Sequence, residues 1–239
     1  MNRNLHLLLL ILIGICTTSQ AQENIGTWNV LNFNVKINSK WNVFAETQLR
    51  SLSFYDEFHY YEYKSGVSYK ISPNFSVTAG VGSYNTFSPG GNFEIPVQNK
   101  EIRTWLQVNM RNPLEFMTFE HRYRAEQRFT SNGYRNRFRY RLAATIPLNN
   151  KKIEPKTFYL SVWNEIFFTD KEPYFERNRL FVGVGYEFSK KIAFQTGYIH
   201  QFDYKINDET GRDFINLALL YNIDLSTKNK TDFIPTPSD

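Results

Sequence analysis

The 239 residues contain a single cysteine, Cys16, and no apolar run long enough to cross a bilayer as a helix, which takes about 20 residues. The longest such run, Leu5–Ile15 interrupted by His6, follows the basic Arg3 and precedes a short polar stretch. Small residues, Ser19 and Ala21, occupy positions −3 and −1 of a cleavage site before Gln22. This is the layout of a secretory signal peptide cleaved after Ala21, so residues 1–21 are expected to be removed on export. A lipoprotein reading would acylate Cys16 instead, but Ile15 stands where a small residue is wanted. Cleavage leaves 218 residues and no thiol, which excludes a disulfide framework, a cysteine nucleophile and a cysteine metal site.

Charge of one sign is also modest. The mature chain has 27 basic and 23 acidic residues, a net +4, which together with the exported address argues against nucleic acid as a partner. Histidine is scarce, with His59, His121 and His200 the only ones after Ala21, and no His/Asp/Glu cluster has metal-ligand spacing. Neither a metal nor a cofactor is expected.

Aromatics, by contrast, are abundant, with 15 Tyr and 21 Phe, while overall hydropathy is polar. Segments of ten to fifteen residues alternate with period two between turn signals, and the nine prolines lie outside them or at their ends. Eleven such segments run from Thr27 to Leu225. In Glu176–Phe188, Leu180, Val182, Val184 and Tyr186 face one way and Arg177, Arg179, Phe181, Gly183, Gly185 and Glu187 the other. In Ile192–Tyr204, Gln195, Gly197, Gln201 and Asp203 oppose the apolar set. A soluble sandwich would also alternate, but over strands of about 5–6 residues. Apolar stripes this long fit the ~9–11 residues of a tilted membrane strand. The expected fold is all-β: an antiparallel transmembrane β-barrel over residues 22–225, followed by a polar tail, 226–239. Single-chain bacterial barrels have even strand numbers, so eleven segments suggest about twelve strands, within a range of ten to twelve. Tight turns such as 38–40, 72–74 and 189–191 would face the periplasm.

The stretch EHRYRAEQRFTSNGYRNRFRYRL, residues 120–142, holds seven of the fourteen arginines. Parity puts Glu120, Arg122, Arg124, Glu126 and Arg128 on one face of a strand, and Arg135, Arg137, Arg139 and Arg141 on one face of the next. An arginine facing lipid near the midplane costs about 2–4 kcal/mol, so these side chains must line the lumen. With Arg50, Arg103, Arg177, Arg179 and Lys64 they make twelve cations, against six glutamates (Glu46, Glu62, Glu120, Glu126, Glu165, Glu187). Two readings follow. Arg–Glu pairs stiffen and fill the barrel, or the surplus cations make a lumen that binds or passes small anions.

The run EHRYRAEQRF, then YRNRFRYRL, WNEIFF, NRLFVGVGYEF and TGYIHQF resembles a family of uncharacterised outer-membrane barrels of Gram-negative bacteria, domain of unknown function 2490. The resemblance covers roughly residues 27–225. It implies export, a barrel, outer-membrane residence among lipid, and insertion by the barrel-assembly machinery. It carries no catalytic residues. The polar tail, where many barrels end on an aromatic, departs from the usual insertion signal.

No enzyme activity is expected. The alternative is a lipid hydrolase on the outer wall: the three histidines fall in the outward register, with Asn136 and Ser131 as partners for His121. Against it, histidines also join interfacial aromatic girdles. Glu120, Glu126 and Glu165 have too many arginine neighbours to act as general acids. A third possibility is binding through the long 88–100 loop. Gly80, Gly82, Gly183 and Gly185 sit mid-strand and are expected to make room for long arginines opposite or to relieve curvature.

Overall fold

A computed structural model describes residues 25–94, 96–206 and 209–226. The expected leader with Cys16 and the tail beyond Ser226 lie outside the described residues. Eleven strands follow one another: β1 (Gly26–Lys36), β2 (Trp41–Ser53), β3 (Asp56–Ser72), β4 (Phe75–Phe87), β5 (Val97–Pro113), β6 (Thr118–Thr130), β7 (Gly133–Pro147), β8 (Thr157–Thr169), β9 (Phe175–Glu187), β10 (Ile192–Asp203) and β11 (Thr210–Asp224). Each pairs antiparallel with its sequence neighbour, and β1 closes on β11 to complete a barrel. Closure leaves no sheet edge with unpaired backbone groups.

The eleven segments of the sequence are therefore eleven strands. The expected even number does not hold, because β1 and β11 run parallel, with Val30 beside Ala218 and Asn32 beside Leu220. A parallel seam lets an odd count close. It also puts the start of β1 and the end of β11 at opposite ends of the cylinder, here called the N-rim and the C-rim. Loop length does not single out either rim: C-rim connections have four, two, four, nine and four residues, and N-rim connections two, nine, two, five and six.

Side chains alternate between the two faces as the period of two requires. β6 shows it plainly, its even positions from Glu120 to Arg128 buried inside and its odd positions half-buried or exposed. Eight-stranded barrels are just filled by side chains, so an eleven-stranded one must be packed with long residues. Two kinds fill it. One half of the wall contributes apolar bulk: Trp28, Val30, Ala143, Trp163, Phe181, Ile199, Phe214 and Ala218 form a single buried cluster. Trp163 stacks on Phe181 at 5.2 Å, and Trp28 meets Phe214 edge-on at 5.6 Å. The other half, mainly β2, β3, β5, β6 and β7, is charged.

The mid-strand glycines serve the rings rather than the arginines. A Cβ on Gly80 would sit 2.2 Å from the Trp105 ring, and one on Gly185 2.0 Å from that of Tyr159. Both aromatic planes lie flat across the backbone of the neighbouring strand, where no larger residue fits.

Two bulges re-aim side chains that parity alone would send outward. Between β2 and β3, Arg50 faces Tyr60 and Ser51 faces Phe58, so His59 is the extra residue. Between β8 and β9, Phe167 faces Arg177 and Phe168 faces Phe175, so Glu176 is the extra one. His59 thus turns inward, contrary to the outward position its spacing suggests, and is only 7% exposed.

Candidate functional site

Neighbouring strands β6 and β7 set Arg122 opposite Arg141, Arg124 opposite Arg139 and Arg128 opposite Arg135. Like charges directly opposed across a ladder repel. Carboxylates placed between them resolve the repulsion. Glu165 of β8, fully buried, accepts from Arg122 at 2.7 Å, from Arg139 at 3.0 and 2.9 Å and from Arg141 at 3.1 Å. Glu126 accepts from Arg137 at 2.7 Å and Arg139 at 2.8 Å, and lies 3.7 Å from Arg124. The rings beneath add a second support: Arg141 lies 4.0 Å above Trp163 and Arg50 lies 3.4 Å above Trp28.

Of the arginines and glutamates singled out in the sequence, Arg122, Arg124, Arg128, Arg137, Arg139, Arg141, Arg179, Glu120, Glu126 and Glu165 are all buried in the interior. Arg135 and Arg177 line the same space at one end of it. Two expected participants stand apart. Glu120 pairs with Arg111 near the C-rim, at 2.9 Å. Glu187 makes no ion pair among the described residues, because it closes β9 on the apolar half of the wall.

Three carboxylates join the network unforeseen. Glu101 takes Arg103 in a bidentate pair at 2.7 and 2.9 Å, and also holds Arg128. Glu176 bridges Arg128 at 3.2 Å and Arg135 at 3.1 Å. Asp203 pairs with Arg177. Glu101 was hidden because β5 starts at Val97, which places it well inside the strand, and Glu176 because of its bulge. Asp203 follows the inward parity of β10, opposite Arg177 of β9.

Two cavities open into the interior. One, about 220 Å³, lies toward the C-rim and includes Lys36, Lys40, Lys70, Glu46 and many amides and hydroxyls in its wall. The other, about 180 Å³, lies toward the N-rim and is bounded by nine arginines, Lys64 and only three glutamates. The two linings have Lys64 alone in common. Its ammonium is tied to Glu46 at 2.6 Å and Glu62 at 2.9 Å, forming a crossbar at the waist.

The hydrolase constellation does not assemble. His121 is bonded to Tyr140 at 2.9 Å, and Asn136 pairs in register with Gln127, six residues along β6, about 20 Å at ~3.4 Å per residue. Asn136 is engaged by Asp170, and Ser131 by Asn99. The Asn136 amide donates at 2.7 Å to Asp170 in an exposed rim loop and holds that carboxyl below its ordinary range. Among the described residues, no three His, Cys, Asp or Glu side chains converge as metal ligands.

The family described as "Protein of unknown function (DUF2490)" matches residues 25–212. The chain belongs to that family. No curated protein and no solved structure matches it. Membership in DUF2490 covers ten of the eleven strands and the opening residues of β11, hence the whole charged wall.

Proposed function

We propose that this chain is an outer-membrane β-barrel without catalytic activity, whose interior is packed by an Arg–Glu core that stiffens the wall. The observation that carries the reading is the inversion of its two faces. Mid-strand residues on the outer face are apolar and exposed, among them Val43, Val67, Val81, Leu106, Phe138, Val182 and Leu219. On the charged half the next residues along the strand are buried cations, as Arg137 and Arg139 are on either side of Phe138. Water outside would make this arrangement unfavourable, and lipid outside makes it favourable. Exposed rings mark both ends: Trp41, Phe116, Phe158 and Phe188 near the C-rim, Phe54, Phe129, Tyr134 and Tyr174 near the N-rim. Such belts suit the two membrane–water interfaces.

Fractionation of the exporting cell, combined with heat-modifiable mobility on gels, tests this. The protein should appear in the outer-membrane fraction as a compact band that slows on boiling. Recovery as a soluble periplasmic protein would overturn it.

A second reading, a narrow anion-preferring pore, draws on the cationic lining at both rims. Planar-bilayer recordings separate the two. The packed waist at Lys64 favours a silent barrel, and sustained anion-selective current would favour the pore.

A further inference from the structure

Arg179 of β9 is 5% exposed and borders the N-rim cavity. Its Nε donates to Gln201 at 2.9 Å, its guanidinium lies 4.8 Å from both the Trp28 and the Phe167 rings, and it makes no ion pair among the described residues. Its terminal nitrogens have no hydrogen-bond partner among those residues either, and they remain open to the cavity rather than sealed in protein. Three more cations, Arg50, Arg139 and Arg177, border the same cavity. Arg212 borders the same cavity and likewise has no ion pair among the described residues. The carboxylates nearby are engaged by other cations: Glu62 by Lys64 and Arg50, Glu101 by Arg103 and Arg128, Glu176 through one oxygen by Arg128 and Arg135, and Asp203 by Arg177.

A buried charge without a counter-ion is strongly unfavourable. The cavity, about 180 Å³, is far larger than the ~10–15 Å³ that one water needs. Guanidinium forks recognise tetrahedral oxyanions through paired N–H donors, and several arginines on one small space favour a ligand with more than one negative charge. Aromatic planes behind Arg179 hold its fork in place, so little rotamer freedom is lost on binding.

We infer that the N-rim cavity is a binding site for a phosphate-class dianion, in which the terminal nitrogens of Arg179 are the principal donors and Arg212 a second. The inference rests on the charged interior proposed above and not on conduction through it.

The test is calorimetry on the full-length barrel refolded in detergent in chloride buffer, titrated with inorganic phosphate and, separately, with short-chain phosphatidic acid. One phosphate per barrel is expected to bind and raise the thermal midpoint. Arg179→Met should weaken binding at least tenfold and abolish that rise, while the unliganded midpoint stays the same or increases because an uncompensated cation is gone. Lys40→Gln removes the same charge at the opposite rim and should leave the affinity within twofold. Binding of free phosphate supports a soluble ligand. Binding of phosphatidic acid alone, still dependent on Arg179, supports a lipid headgroup. No heat from either ligand, chloride competing at equal concentration, or equal losses in Arg179→Met and Lys40→Gln would overturn the site. Heat-modifiability of the same samples reports separately whether the barrel itself has formed.

Discussion

Arg122 and Arg141 face each other across β6 and β7, and both donate to one carboxylate, Glu165. Two guanidiniums that would repel are thereby turned into a clamp, and Arg139 joins through both oxygens of the same group. Glu165→Gln should therefore destabilise the barrel by about 3–5 kcal/mol, the range for breaking a buried pair while leaving its partners charged. Asp224→Asn removes an exposed pair with Lys36 and should cost no more than ~1 kcal/mol. Urea unfolding of barrels refolded into vesicles, followed by tryptophan fluorescence, measures both.

The lipid-facing assignment is tested at Leu106, 69% exposed on β5. Leu106→Arg should cost about 2–4 kcal/mol in a bilayer and lower the yield of folded protein in vesicles. Asn132→Arg, in the short N-rim loop between β6 and β7, should have little effect. Equal yields for the two variants would mean that the apolar band does not meet lipid.

Gly185 lies under the Tyr159 ring, so Gly185→Ala has to push a buried aromatic aside. A loss of about 1–3 kcal/mol is expected, as for other overpacked sites. The double variant with Tyr159→Ser should recover part of it. A fully additive double variant would show that the ring is not what excludes the methyl group.

The parallel seam gives a chemical test. Leu31 and Leu219 are register partners on β1 and β11. In the mature chain, which is expected to hold no other cysteine, Leu31→Cys with Leu219→Cys should form a disulfide under mild oxidation and shift mobility on non-reducing gels. Parallel neighbours are close enough for the 4.4–6.8 Å between Cα atoms that a disulfide requires. A twelve-stranded barrel with an antiparallel closure would not bring these positions together.

The charged half of the barrel was legible because β6 and β7 place arginine or glutamate at nearly every second position, and lipid forbids the alternative. The same parity rule misplaced His59 and Glu176, since a bulge adds one residue and reverses the faces locally. The apolar half escaped notice for a different reason. On β8, β10 and β11 both faces carry apolar residues, as with Ile199 inside and Tyr198 outside, so alternation gives little contrast. That half decides how the charges are used: its rings support Arg50, Arg141 and Arg179 from below, and no count of arginines against glutamates reveals them.

Gly26 begins β1 at one rim and Asp224 ends β11 at the other. An even-stranded barrel returns its chain to the side from which it set out; this one does not. Once such a wall spans a bilayer, the chain enters it from one compartment and leaves it in the other. A tag joined ahead of β1 and a tag joined after β11 would then answer to opposite sides of the membrane. A single protease added to intact cells would orient the whole molecule by which tag it removes.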